Sequence, residues 1–285
     1  MQESRKTKRS ERRSQMRHRA ACFLLATILV VLSSHSFAQP VVNELVEQKP
    51  LFVRGVGGYN IYRIPALLTT QAGTLLAFCE AREGGDSSDI DLVMRRSEDG
   101  GETWSRKLVI WDEGENVCGN PCPVQDRETG TIWLLMTWNH RDDPEEELIE
   151  GSAEYTRRPY ICYSNDDGKT WSKPADLSET CRDPDWGWYA TGPGVAIQLK
   201  RGKYKGRLVC PSNHSNVEYE DHHYRSHVIY SDDHGKTWQR SQPIGPGCNE
   251  SQVVELVDGT LMMNMRAYDP SGHRAIATST DGGET

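Results

Sequence analysis

One eight-residue pattern, Ser-x-Asp-x-Gly-x-Thr-Trp, recurs along this 285-residue chain and limits the folds that the chain can adopt. Serine and aspartate side chains bond backbone amides in a turn, glycine supplies a positive φ, and tryptophan packs beneath. A short strand-like run precedes each copy, so each copy predicts a β-turn that leaves a strand. A single copy would indicate an ordinary hairpin, but four in register indicate a repeated unit. The copies span residues 97–104, 164–171, 231–238 and 279–285, the last ending before its tryptophan.

A glycine turn followed by an apolar strand recurs upstream of each copy. Each unit therefore reads strand, glycine turn, strand, loop, strand, Asp turn, strand. Few segments show a helical 3.6-residue period, so the chain is predicted to be all-β and built of four-stranded propeller blades. The pattern starts are 67, 67 and 48 residues apart, which indicates long loops in some blades. The turn glycines are Gly73, Gly130, Gly206 and Gly259.

The N-terminal segment has the features of a signal peptide over residues 1–38. Residues 1–20 carry eight Lys or Arg and two Glu, and a 13-residue apolar run at 20–32 leads to Ser36-Phe37-Ala38. That run is shorter than the roughly 20 residues that a membrane-spanning helix needs. An uncleaved N-terminal anchor is the alternative. In either case we expect export to the periplasm or the cell exterior, with no membrane span in the mature chain, residues 39–285.

The charge of the mature chain argues against a nucleic-acid partner. Subtracting the leader from 33 basic and 41 acidic residues leaves 25 and 39, a net charge near -14. A field of that sign repels anions, so an anionic substrate would need a local cluster of arginines.

The seven cysteines outside the leader are an odd number and define no complete disulfide framework. A bridge between Cys118 and Cys122 remains open, but this pair has no second Cys or His pair at zinc spacing. We therefore predict no metal site and no cofactor.

Two charged residues occupy nearly equivalent places when the units are aligned on their glycine turns. Arg63 precedes Gly73 by 10 residues and Glu250 precedes Gly259 by 9. Both are predicted to begin the innermost strand of a blade, from which they can face each other across the central channel. A buried ion pair that fastens two blades is the alternative.

The repeat resembles the Asp-box of the sialidase superfamily, and the chain is similar to bacterial exo-sialidases from about residue 45 onward. This resemblance implies a six-bladed β-propeller, of which residues 39–285 hold about the first four blades. Asp-boxes also occur in propellers that bind peptides or other sugars, so the site motifs must decide the function.

The motif Tyr62-Arg63-Ile64-Pro65 resembles the sialidase Arg-Ile-Pro signature, whose arginine binds the carboxylate of sialic acid. The run from Glu250 to Arg266 is similar to the family's base and second carboxylate-binding arginine. Guanidinium suits this task because its planar fork binds a carboxylate through two hydrogen bonds and stays charged. An ordinary surface arginine on a strand is the alternative for Arg266.

The loop after the first glycine-turn strand is similar to the mobile sialidase loop that carries an aspartate acting as general acid and base. Counting from Arg82 and from Arg95-Arg96 selects Asp86, with Asp89 as the fallback. Arg82 and Asp89 are also predicted to contact the substrate. Gly84-Gly85 would let the loop close. A solvated acidic loop or a calcium loop is the alternative.

The resemblance implies retaining hydrolysis of terminal α-linked sialic acids from glycoproteins, glycolipids or oligosaccharides. A tyrosine activated by Glu250 would attack the anomeric carbon while Asp86 protonates the departing oxygen. We expect this tyrosine and a third arginine to lie beyond Thr285, and the 285-residue chain alone to be inactive. The alternatives are a non-catalytic propeller that binds glycan or protein, a trans-sialidase, and a glycosidase for another nonulosonic acid.

Overall fold

The computed structural model describes residues 48–219 and 224–285. The predicted signal peptide, residues 1–38, lies outside them. Leu51–Thr285 form one compact unit. None of the helices in the described part of the chain is both long and apolar enough to cross a membrane.

The described residues form four successive antiparallel units, which we call blades 1 to 4. A single parallel pair, Ile90 with Val117, joins blades 1 and 2 into one sheet. Helix α1 (Glu145–Glu150) lies in the long loop of blade 2, and α2 (Ser178–Cys181) precedes blade 3. Blade 1 contains β1 (Ile61–Thr69), β2 (Leu75–Arg82), β3 (Ile90–Ser97) and β4 (Leu108–Trp111); blade 2 contains β5 (Val117–Gln125), β6 (Ile132–Asn139), β7 (Arg158–Ser164) and β8 (Ala175–Asp176); blade 3 contains β9 (Tyr189–Thr191), β10 (Ile197–Gln198), β11 (Leu208–Ser215), β12 (Tyr224–Ser231) and β13 (Gln239–Arg240); blade 4 contains β14 (Cys248–Glu255), β15 (Leu261–Ala267) and β16 (Ala275–Ser279).

The turns occur where the sequence pattern predicts them. The glycine turns lead into β2, β6, β11 and β15, and all four turn glycines have a positive φ. In all four Asp-boxes the serine hydroxyl donates to the aspartate and accepts from the glycine amide, while the aspartate accepts from the threonine amide. The prediction of an all-β chain made of about four propeller blades is confirmed, and the total of six blades stays a prediction.

The hydrophobic core lies between neighbouring blades. Phe78 and Met94 of blade 1 pack with Leu134 of blade 2 in one buried cluster. A second cluster joins blades 2 and 3, and a third joins blades 3 and 4. The blades therefore bury much of their apolar surface against one another, and the succession of blades creates the core.

Each Asp-box from blade 2 onward also holds the preceding blade. The Asp167 carboxylate accepts from the Thr74 hydroxyl and from Arg96 of blade 1. His234 bonds the buried Asp126 of blade 2 at 2.7 Å. In blade 4, the Gly282 carbonyl accepts from the Arg207 guanidinium of blade 3 at 3.1 Å. Because these contacts sit at equivalent turns, they set the spacing from blade to blade.

The seven cysteines of the described residues are buried free thiols, so Cys118 and Cys122 form no bridge. A shift in strand register between Gly119 and Cys122 places the two side chains in different clusters. Such an extra residue re-aims the side chains on one side of it.

Gly235 has both a positive φ, +88°, and a neighbour that leaves no room for a side chain, since an added Cβ would lie 2.3 Å from the Trp133 indole. We expect Gly235→Ala to lower the free energy of unfolding by about 2–5 kcal/mol, from backbone strain and overpacking. Gly73→Ala is the matched control, because Gly73 has φ +86° and no atom within 4 Å of an added Cβ. It should cost only about 1–2 kcal/mol. Denaturant unfolding measures both, and equal losses would show that the blade contact contributes nothing.

Candidate active site

Three inner strands share one irregularity that directs side chains into the centre. The pairing register shifts between Arg63 and Ala66 in β1, between Gly119 and Cys122 in β5, and between Cys248 and Ser251 in β14. Bulges bend a strand and re-aim its side chains. The shifts occur near the start of each inner strand, where the repeat alignment places Arg63 and Glu250.

A single pocket collects most of the predicted site residues. It is lined by Arg63, Arg82 and Asp86 from blade 1 and by Glu250 and Arg266 from blade 4. Residues 187 positions apart along the chain therefore meet because their blades face one centre. Asp89 is not among the lining residues.

In blade 1, two arginines hold one carboxylate. Asp86 Oδ1 accepts from Arg63 Nη1 at 2.8 Å and from Arg82 Nη1 at 2.5 Å. Partial burial raises the pKa of Asp86, but the Arg82 hydrogen bond and the charges of Arg82, Arg63 and Arg157 outweigh it, so the pKa lies below its ordinary value. Asp86 is thus an ionised carboxylate at neutral pH.

In blade 4, Arg266 donates to Glu250 Oε2 at 3.2 Å. Burial lowers the pKa of Arg266, but Tyr268 and Glu250 raise it by more than burial lowers it. The net shift is upward, so Arg266 remains positively charged. The Arg63 and Arg266 side chains are each 51% exposed, so both can reach a ligand. Arg63 and Glu250 pair within their own blades, which disagrees with the alternative of a buried ion pair between them.

Asp89, the fallback to Asp86, lies at the far end of the loop, where its carbonyl accepts from the Glu83 amide. Burial and the charges of Asp112 and Glu83 raise the pKa of Asp89. In the described residues no group of three His, Cys, Asp or Glu is placed to hold a metal ion. The geometry therefore favours Asp86 over Asp89 as the pocket carboxylate and gives no support to a calcium loop.

Three charged residues of the pocket were not predicted from the sequence: Glu80, Glu145 and Arg157. The sequence could have indicated Glu80, because it stands two residues before Arg82 on an apolar strand. Strand alternation therefore puts both side chains on one face. Arg157 is buried and donates to Asn120, Thr137, Asn139 and the Tyr189 carbonyl. Nothing in its local sequence distinguishes it from a surface arginine.

Aromatic residues flank the charged groups. Trp188 lies on the pocket wall with the Arg157 guanidinium 4.3 Å from its ring centre. Tyr268 also lines the pocket, and its hydroxyl accepts from the side-chain amide of Asn249 at 3.0 Å. Arg274 donates to Asn264 Oδ1, and neither residue lines the pocket.

The side chain of His214 is buried. Its ring stacks on Trp186 at 3.4 Å and bonds His227 at 3.0 Å. Burial and the charge of Arg240 lower the pKa of His227 to about 3. Burial, followed by His227 and the charges of Arg225, Arg240 and Arg182, also lowers the pKa of His214. The pair is a neutral part of the core of blade 3.

The comparison with protein families agrees with this architecture. A family model described as a BNR repeat-like domain matches residues 73–285. The chain belongs to the BNR repeat-like domain family.

Known members of similar sequence are sialidases, which confirms the resemblance seen in the motifs. This BNR-repeat chain is 33% identical over 291 residues to a sialidase of Micromonospora viridifaciens, covering 94% of the chain and 44% of the relative. A sialidase of Bacteroides fragilis is 32% identical, covering 82% of the chain and 44% of the relative. The solved structure of a Hadza microbial sialidase, 31% identical, superposes with a TM-score of 0.70 over 80% of this chain and 46% of that one. The chain therefore spans less than half the length of these relatives.

The buried histidine pair makes stability depend on pH. In the unfolded chain His227 has a pKa near 6.5, against about 3 when folded, so between these values only the unfolded state binds the proton. We expect the free energy of unfolding to fall as the pH drops from 6.5 towards 3, by up to about 1.4 kcal/mol per pH unit for one histidine. Denaturant unfolding at several pH values should show a smaller slope for His227→Gln than for wild type. Equal slopes would contradict the assignment.

Proposed function

We propose that this chain carries four blades of an exo-sialidase catalytic propeller, which removes terminal α-linked sialic acids from glycoproteins, glycolipids or oligosaccharides. One observation supports the proposal above the others. Two half-exposed arginines from blades 1 and 4 line the same pocket as two carboxylates, one in each blade. Guanidinium forks complement the carboxylate of a sialic acid, and paired carboxyl groups supply proton transfer.

The roles follow from the chemistry of the groups. Arg63 and Arg266 would bind the substrate carboxylate and orient the anomeric carbon. Asp86 would protonate the departing oxygen and later activate water. Glu250 would activate a tyrosine, since a neutral phenol approaches an anomeric carbon that bears a carboxylate more easily than an anionic nucleophile does. We further propose that the protein is exported, as its N-terminal segment indicates.

Arg63 and Asp86 suggest how substrate binding prepares the acid. A ligand carboxylate that binds Arg63 in place of Asp86 removes one cation from the surroundings of Asp86 and adds a nearby anion. Both changes favour the protonated form, so the pKa of Asp86 rises when the site fills. A general acid needs that proton.

Binding to this chain tests the arginine roles without requiring turnover. Calorimetry should detect binding of 2,3-didehydro-N-acetylneuraminic acid to this chain but no binding of galactose, which has no carboxylate. Arg63→Gln and Arg266→Gln should each weaken binding by about 1.5–3 kcal/mol, the range for a hydrogen bond to a charged group. Arg201→Gln is the control, since Arg201 pairs with Glu255 outside the pocket. Equal affinity in all four proteins would refute the assignment.

Turnover separates an enzyme from a glycan-binding propeller. In a protein that carries these blades as part of a closed propeller, Asp86→Asn and Glu250→Gln should each lower cleavage of a fluorogenic sialoside by at least about 100-fold. A binding module would show no cleavage in wild type. A transferase would give sialylated acceptor as product, which chromatography distinguishes from free sialic acid.

Carbon-13 NMR of the aspartate carboxyl groups tests the coupling between ligand and acid. The Asp86 carboxyl should titrate at higher pH with the sialic acid analogue bound than without it. An unchanged or lower midpoint would mean that the ligand leaves the Arg63 contact intact.

A further inference from the structure

Glu80 is a buried carboxylate in the pocket lining, and the proposed reaction gives it no role. It is only 2% exposed and lies on β2, two residues before Arg82. Glu80 Oε2 accepts from Arg82 Nε at 2.8 Å and also from Arg82 Nη2. Both hydrogen bonds converge on one carboxylate oxygen, so the Nε and Nη2 edge of the Arg82 guanidinium is held against Glu80.

With Nε and Nη2 bound to Glu80, Nη1 is the Arg82 nitrogen that faces the pocket. Nη1 donates to Asp86 Oδ1 at 2.5 Å. Asp86 lies on the loop between β2 and β3 and its side chain is 60% exposed, whereas the Arg82 side chain is 5% exposed. The buried pair is therefore the rigid partner, and it determines where the exposed carboxylate of the loop rests.

Blade 2 holds Glu80 from the other side. Glu80 Oε1 accepts from the backbone amide of Asn120 at 2.7 Å, at the bulge of β5. A Cβ on Gly119 would lie 2.7 Å from Glu80 Oε1 and 3.0 Å from Arg157 Nη2. The strand thus approaches so closely that the Glu80 carboxylate has no room to move towards blade 2.

Burial divides the pocket arginines into two kinds. Arg82 is buried, and Glu80 balances its charge. Arg63 and Arg266 are half exposed, and their partners are themselves partly exposed carboxylates that a ligand can replace. A substrate carboxylate would therefore exchange with the partners of Arg63 and Arg266 and leave the Glu80–Arg82 pair intact.

We propose that Glu80 is a positioning residue, which locks Arg82 so that this arginine orients Asp86 and does not bind the substrate carboxylate. The proposal rests on the proposed function for the meaning of Asp86, but its test does not need sialic acid.

The experiment is carbon-13 NMR titration of Asp86 in Glu80→Gln. The glutamine amide puts an N–H donor against either Arg82 or the Asn120 amide, so Arg82 should leave its place. Asp86 then loses its closest cation and should titrate at higher pH than in wild type. If Glu80 acted only through its charge, removing it would strengthen the pull of Arg82 and lower the midpoint further. A lower or unchanged midpoint in folded protein overturns the proposal.

Glu255→Gln is the matched control. Glu255 is also a largely buried carboxylate, paired with Arg201 and accepting from the Lys200 and Arg201 amides away from the pocket. Its substitution should leave the Asp86 midpoint unchanged. A midpoint that rises equally in the control would assign the effect to general loosening and overturn the proposal.

Glu80→Asp keeps the test decisive if Glu80→Gln does not fold. It retains the charge but withdraws the carboxylate by one methylene, so the Asp86 midpoint should again rise, and an unchanged midpoint overturns the proposal.

The affinity of both Glu80 variants for 2,3-didehydro-N-acetylneuraminic acid should stay within about threefold of wild type, because the Arg63 and Arg266 guanidinium groups are still available to the ligand carboxylate. Absence of binding in wild type as well would refute the proposed function while leaving the Glu80 result to stand on the titration.

Discussion

The contact between neighbouring blades is the interaction on which the rest of the structure depends. A single four-stranded blade has two faces to bury and no helix layer to cover them, so it gains a core only by packing against the next blade. The Asp-box turns reinforce this contact, because Asp167, His234 and Gly282 each bond the preceding blade. These contacts hold the inner strands at regular positions, and the bulges near their starts then direct polar side chains to one centre.

The balance of charges in the pocket lining differs from that of the acidic chain as a whole. Its lining contains four arginines and four carboxylates, so an anion meets a local field unlike that of the surrounding surface. Burial separates their tasks. Arg82 and Arg157 have protein partners beneath the surface, whereas Arg63 and Arg266 are half exposed and paired with carboxylates that a ligand can replace. Differences in solvent access thus distinguish groups with identical side chains.

Much of this arrangement was predictable because the chain repeats. Aligning the units on their glycine turns placed Arg63 and Glu250 at the inner strands, and five of the six predicted site residues line the pocket. Asp89 does not, because counting residues in a loop cannot show which carboxylate faces inward. Arg157 was missed for a related reason, since its partners come from blades 2 and 3 and are scattered over residues 120–189.

The sequence by itself determined the unit, its turns and the order of its strands, because glycine φ angles, Asp-box hydrogen bonds and strand alternation are local and repeat with the chain. Tertiary structure alone decided which charged groups became neighbours. Whether Arg82 serves a ligand or the protein depends on Glu80 being buried under blade 2, and whether His214 reaches solvent depends on Trp186 covering it. Burial and pairing arise from packing between blades, and a linear pattern carries no direct record of them.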